Sequence, residues 1–212
     1  MAKPKLKDKN FHGEGNILWR DYHTRKGKDK ILYRGVRVIK NPMDLWNYQE
    51  LIEEHDIHWV IETGTCNGGS ALFLADVLKN RDAKGKVYTI DRSKGKMDPK
   101  VKNNPYLVLM PGKSSVDPER VKSVQEIFKD VKEKIFLVLD SDHKETHVEA
   151  ELKAYIPILK SGDYVVVEDT HAPGPRIGLA NYLKNHHSLI HDEKRNTNFG
   201  LTYAPKGYLT VK

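Results

Sequence analysis

The feature that most constrains this chain is an alternation of two patterns. Apolar runs near 57–62, 86–91, 106–110, 135–140 and 163–168 are separated by helical stretches near 69–80, 117–131, 144–160 and 175–187. Runs such as Phe136-Leu-Val-Leu139 and Tyr164-Val-Val-Val167 are continuously apolar, as strands buried on both faces are. They fall far short of the about 20 residues that span a bilayer, so no membrane-embedded class is expected. Strands and helices taken in turn predict an α/β, Rossmann-like fold, a mostly parallel sheet with helices on both faces. Before the first strand, Asn41-Pro42 supplies a cap and a first-turn proline for a helix over Met43–His55. At the other end, Phe199–Ala204 and Tyr208–Val211 flank Pro205-Lys-Gly207 and predict an antiparallel hairpin, which brings the sheet to seven strands.

The 212 residues suit one domain, expected over 31–212 and preceded by a basic extension over 1–30. The net charge of +7 is unevenly placed, because residues 1–40 hold twelve Lys and Arg against four Asp and Glu. The remainder carries 24 basic and 25 acidic side chains and is close to neutral. No aromatic-interleaved basic helix accompanies that leader, so a solvated arm or an oligomer contact is expected in place of a nucleic-acid partner. The leader has no apolar stretch behind its positive charge, and the single Cys66 excludes an internal disulfide and a cysteine-based metal site. Both features fit a cytoplasmic protein.

In open sheets of this kind ligands bind beyond the carboxyl ends of the strands, so those ends carry the chemistry. The first strand ends in Glu62 and runs through Thr63, Gly64, Thr65, Cys66, Asn67, Gly68, Gly69 and Ser70 into an apolar helix. Such a glycine-rich turn lets a ligand approach the backbone, and the helix N-terminus favours a carboxylate. The Gly64-x-x-x-Gly68-Gly69 spacing departs from the Gly-x-Gly-x-x-Gly dinucleotide pattern. Glu62 would repel a pyrophosphate but suits the ammonium and sulfonium charges of S-adenosylmethionine. Asp91, ending the second strand, is placed to accept from both ribose hydroxyls. Ser114 and Ser115, after the third strand, occupy the position of an adenine pocket.

The fourth strand ends in Asp140-Ser-Asp142-His143-Lys144 and the fifth in Glu168-Asp169-Thr170. Adjacent parallel strands bring these carboxylates together, where they repel one another unless a hard divalent cation or basic neighbours such as Lys144 and Arg176 compensate them. An all-oxygen set suits Mg2+ best. The expected ligands are Asp142, Glu168 and Asp169, with Asp140 the competitor for the first place and otherwise a neighbour of the cofactor. A cation there would lower the pKa of a substrate hydroxyl. His143 and Lys144 are the nearest candidate general bases. A second reading takes His143, His147 and Glu151, spaced i, i+4, i+8, as a two-His-one-carboxylate iron site of an oxygenase.

The segments Tyr33-Arg-Gly, Lys40-Asn-Pro-Met-Asp44, Tyr48-Gln-Glu, Ile61-Glu-Thr-Gly-Thr-Cys-Asn-Gly-Gly-Ser70, Leu139-Asp-Ser-Asp-His143, Val167-Glu-Asp-Thr170, Gly174-Pro and Pro205-Lys-Gly-Tyr-Leu209 resemble the cephalosporin hydroxylase and rhamnosyl O-methyltransferase family. The resemblance runs from about residue 30 to the end. It implies a class I methyltransferase fold, S-adenosylmethionine, Mg2+ held by the Asp-Ser-Asp and Glu-Asp residues, and a homo-oligomer. The implied acceptor is a hydroxyl of a small molecule, such as a sugar, an antibiotic or another natural-product intermediate. By position it favours Asp142, Glu168 and Asp169 as ligands, with Glu62, Gly64, Gly68 and Asp91 around the cofactor.

Overall fold

The computed structural model describes residues 31–93 and 97–212, and the predicted basic extension over 1–30 lies outside them. A two-stranded ribbon of β1 (Leu32–Tyr33) and β2 (Val36–Arg37) comes first. Helix α1 (Pro42–Glu54) follows, and the Asn41 side chain caps it by accepting from the Met43 amide at 3.0 Å. The chain then alternates through β3 (Ile57–Thr63), α2 (Gly69–Asn80), β4 (Val87–Asp91), the short α3 (Pro99–Lys102) and β5 (Leu107–Pro111). Next come α4 (Pro118–Phe128), β6 (Lys134–Leu139), α5 (Glu145–Tyr155), β7 (Tyr164–Val167) and α6 (Pro173–Asn185). The last elements are β8 (Leu189–His191), α7 (Glu193–Thr197) and β9 (Tyr208–Val211).

Seven strands form one sheet in the order β5-β4-β3-β6-β7-β9-β8. The first five are parallel, and β9 runs antiparallel to both β7 and β8. The pleat sorts the strand residues onto two faces. Val60, Phe136, Val138, Tyr164 and Val166 pack on one side with Leu51, Ile52 and Leu74 of α1 and α2. Ile61, Leu137, Leu139, Val165 and Val167 pack on the other with Val124, Leu152 and Leu179 of α4, α5 and α6. Both faces are covered, which is why the central strands read as unbroken apolar runs. No helix among the described residues is long and apolar enough to cross a membrane.

The antiparallel edge is present, but its first strand differs from the expected one. Strand β9 pairs with Leu189–His191, whereas residues 199–204 form no strand. Their backbone groups are taken by partners outside any ladder. The Tyr203 amide donates to Asp44 Oδ2 at 2.8 Å, the Ala204 amide to Thr202 Oγ1 at 2.9 Å, and the Leu201 carbonyl accepts from Asn41 Nδ2 at 3.2 Å. Side chains that satisfy the backbone this way compete directly with sheet pairing.

Strand register sets the site. Ile90, Thr63, Leu139 and Val167 stand side by side across β4, β3, β6 and β7. The next residue on each strand is therefore Asp91, Gly64, Asp140 and Glu168, one row along the carboxyl edge.

Candidate active site

At the centre of that row, Gly64 has φ +92°, a conformation that glycine adopts without steric cost. A Cβ there would lie 1.8 Å from the Asp140 carbonyl oxygen, so the glycine-rich turn and the acidic strand end touch through backbone alone. Gly68, also at positive φ, caps α2, and Gly69 opens that helix against the Arg37 carbonyl. Glu62 is fully buried, and its two oxygens accept from Ser70 Oγ at 2.5 Å and Thr89 Oγ1 at 2.6 Å. Burial pushes its carboxyl up to about 7, against the opposing pull of Lys40 and the two hydroxyls. Thr65, equally buried, shares a 2.7 Å contact with Thr89. Glu62, Thr65 and Ser70 thus brace the turn from beneath.

The cleft above the turn is lined by Gly64, Asp91, Ser114, Ser115, Ser141 and His147, among others. Asp91 accepts from the Cys66 amide at 2.8 Å on one oxygen and from the Ser93 amide at 2.7 Å on the other. Those two bonds fix the carboxylate and leave lone pairs facing the cleft, the arrangement a vicinal diol requires. Cys66 itself is exposed, with Sγ turned to Asn67.

Beyond Asp140 lies the acidic cluster. One ligand atom each from Asp140, His143 and Asp169 falls within a 4.8 Å sphere of separations. His143 Nε2 lies 3.1 Å from Asp169 Oδ2 and 3.7 Å from Asp140 Oδ1. Glu168 is buried beside them, its Oε1 accepting from Tyr48 and from Lys40 at 2.9 Å. Its other oxygen carries no hydrogen bond among the described residues. Burial and the charges of Asp140 and Glu168 push the Asp169 carboxyl up to about 8, although His143 and Lys40 pull it down. Asp140 moves the other way: burial opposes ionisation, but Lys40 and His143 hold the carboxyl below its usual range. The neighbouring Asp140 and Asp169 carboxylates raise the His143 pKa, although burial opposes it.

Asp142, the expected first ligand, does not join this cluster. Its Oδ1 accepts from the Lys144 amide at 3.1 Å, its Oδ2 lies 3.9 Å from Arg92, and it faces the cofactor cleft. Asp140 occupies the place beside Asp169 instead. Lys144 is an exposed cap residue whose ammonium is 3.8 Å from Asp142. The i, i+4, i+8 face divides as well. His143 turns to Asp140 and Asp169, whereas His147 and Glu151 close on Ser141 and Ser115.

Two further participants escaped the sequence reading. Lys40 is only 3% exposed, and its ammonium lies 2.7 Å from Asp140 Oδ2 as well as against Glu168. Burial alone would lower its pKa, yet these carboxylates raise it. The signal was available, because Val36, Val38 and Lys40 alternate as buried residues while Ile39 is exposed, so a period of two points Lys40 inward. Tyr48, on the inner face of α1, carried no such signal.

A row of carboxylates with Asp91 on one side of the glycine turn and Asp140, Glu168 and Asp169 on the other suits a positively charged nucleoside donor beside a hard cation. The sequence profile of the family described as rhamnosyl O-methyltransferase/CmcI matches residues 25–212. A rhamnosyl O-methyltransferase of Mycobacterium tuberculosis (strain ATCC 25618 / H37Rv) is 36% identical over 206 residues, spanning 92% of this chain and 80% of the relative. That of Mycobacterium leprae (strain TN) is 33% identical over 209 residues, spanning 93% and 86%. Among solved structures, CmcI in its Mg-SAM form aligns with TM-score 0.68 at 20% identity over 87% of this chain and 77% of that one. An O-methyltransferase from Bacillus cereus in complex with SAH aligns with TM-score 0.51 at 16% identity over 93% and 89%. The structural likenesses establish the fold, and with the matching profile and the sequence relatives they lead to one conclusion: this chain belongs to the rhamnosyl O-methyltransferase/CmcI family.

Proposed function

We propose that this enzyme transfers the methyl group of S-adenosylmethionine to a hydroxyl oxygen of a small molecule, with Asp140, Glu168 and Asp169 holding a divalent cation beside the reacting atoms. The observation that carries this reading is the backbone contact between Gly64 and Asp140, which sets the methyl-donor turn directly against the carboxylate cluster. The residues present fit a hard cation. Asp140, His143 and Asp169 converge with Glu168 beside them, and burial together with the Asp140 and Glu168 charges raises the Asp169 pKa, as gathered like charges do. Bound Mg2+ would act as a Lewis acid that polarises the acceptor hydroxyl and lowers its pKa.

The chain's own groups divide the remaining work. Asp91 takes the ribose hydroxyls, and the Gly64 turn admits the donor's amino-acid portion close to the backbone. Asp140 and Asp169 orient His143, whose ring is half exposed and able to reach an incoming acceptor. With Nε2 turned to those carboxylates, His143 accepts the hydroxyl proton at Nδ1 as the oxygen attacks the methyl carbon, and the sulfonium leaves as a neutral thioether. Lys40 and Tyr48 anchor Glu168 from behind.

The rhamnosyl O-methyltransferase relatives support a sugar hydroxyl as the acceptor. A homo-oligomer, a cytoplasmic location and the absence of a nucleic-acid partner belong to the same reading, and sedimentation of the purified protein with and without RNA addresses the first and last. The central test is calorimetry with S-adenosylhomocysteine, followed by methyl transfer from labelled donor to a panel of hydroxylated glycosides with Mg2+ or chelator. Nucleoside binding and chelator-sensitive transfer are expected. A protein that binds neither S-adenosylmethionine nor S-adenosylhomocysteine ends the proposal.

A further inference from the structure

The cleft holds a histidine to which the reaction assigns nothing. His147 lines it together with Ser115 and Ser141, on the first turns of α5. Its Nε2 lies 2.9 Å from Ser141 Oγ and 3.1 Å from Ser115 Oγ. Ser141 gives its single hydroxyl proton to Glu151 Oε1 at 2.7 Å, so toward the ring its oxygen can only accept. Nε2 therefore carries a hydrogen. Nδ1 has no hydrogen-bond partner among the described residues. Glu151 is 1% exposed, and its carboxylate, 3.6 Å from Nε2, has little else nearby to compensate it. A buried carboxylate without a cation of its own is costly, and a protonated imidazole offsets that cost. The nearby Glu151 carboxylate accordingly raises the His147 pKa, although burial opposes it.

We propose that His147 reads the adenine ring of the methyl donor, donating from Nδ1 to the N1 acceptor, and that Ser141 and Glu151 are positioning residues that hold the ring for this contact. The proposal rests on the S-adenosylmethionine reading above. With the ribose fixed at Asp91, the purine extends from that carboxylate toward the serines, and the edge farthest from the sugar carries N1 and the exocyclic amine. Ser115, expected to meet the base, touches the His147 ring itself, and Ser114 lines the cleft one residue before it. The serines alone are indifferent readers, because a hydroxyl can donate or accept. A ring with both nitrogens protonated is a donor only, and it distinguishes an acceptor at N1 from a donor there.

Inosine makes that distinction, since its N1 bears a hydrogen and would set donor against donor. Binding of S-adenosylhomocysteine and S-inosylhomocysteine to the unaltered protein is compared first by calorimetry, with no variant needed. A preference for the adenosyl compound of about tenfold or more is expected, as befits one hydrogen bond exchanged for a clash. In His147→Leu the preference falls to about twofold while the adenosyl compound still binds. Glu151→Gln, which keeps the side-chain volume, shows an intermediate preference and serves if the first variant does not fold. Equal binding of the two nucleosides by the unaltered protein overturns the proposal, and so does an undiminished preference in both variants. Failure of the unaltered protein to bind either nucleoside overturns the cofactor reading itself, and this proposal falls with it.

Discussion

Lys40 Nζ stands 2.7 Å from Asp140 Oδ2, an ion pair that closes across one hundred residues of chain with its ammonium almost wholly withdrawn from water. The segment before α1 is thereby stitched to the end of β6, and Glu168 on β7 shares the same ammonium. The pair binds the acidic cluster to the body of the domain.

Removing that ammonium deprives the buried Glu168 and the partly buried Asp140 of their shared lysine. Breaking a buried pair from one side costs about 3–5 kcal/mol, and Lys40→Met is expected to lose stability of that order in urea unfolding without added metal. Millimolar Mg2+ should restore more stability to the variant than it adds to the unaltered protein, because ligand binding to the native state stabilises it by mass action. Equal gains in the two proteins would count against a shared electrostatic site.

The acidic cluster also sets a pH dependence. A carboxyl whose pKa is raised on folding binds its proton more tightly in the native state, so its contribution is full below the unfolded value and disappears as pH rises through the folded one. Asp169, pushed up to about 8, and Glu62 and Asp44, each pushed up to about 7, act in the same direction. Chelator-treated protein should therefore lose stability as pH rises from about 4 to 8. Denaturant midpoints across that range provide the measurement. Asp169→Asn should flatten the decline between pH 7 and 8.5 while leaving the part due to Glu62 and Asp44.

The two sides of the Gly64 turn are expected to separate functionally. Asp91→Asn should weaken S-adenosylhomocysteine binding about tenfold to a hundredfold, as loss of charge-assisted hydrogen bonds implies. Asp169→Asn should change the same affinity by less than about threefold and abolish metal-dependent transfer. Calorimetry on both variants distinguishes these expectations from a single fused site.

Of the two candidate bases, only His143 reaches the cluster. His143→Ala should lower kcat by about 10²–10⁴, the usual range for a lost general base, whereas Lys144→Ala should stay within about twofold of the unaltered enzyme. A strong effect at Lys144 and none at His143 would move the base to the cofactor side, where Lys144 meets Asp142.

The sheet and its covering helices were legible because each central strand is locally apolar and each helix carries its own cap or period. Asn41, Asp98 and Asp117 each accept from amides at the start of the helix they precede. The segment 199–204 was misread because the partners of its backbone, Asp44 and Asn41, lie about 160 residues away, where no local pattern reaches. The carboxylates of the site were legible as a set, since the row Asp91, Gly64, Asp140 and Glu168 follows from parallel register alone. Their individual directions were not. Asp140 and Asp142 stand two residues apart just past a strand, and the turn, not the pleat, decides that one meets Asp169 and the other faces Arg92.

Gly174, at the start of α6, abuts the His143 carbonyl so closely that a Cβ would lie 1.9 Å from that oxygen. The loops after β6 and β7, which carry the two halves of the acidic cluster, are consequently one wall with no space for even a methyl group between its layers. That wall can neither widen nor be remodelled by side-chain substitution at the seam. A side chain at Gly174 would push the loop that carries His143 away from the helix that follows Asp169. The spacing between the two halves of the cluster is thus held by a missing side chain.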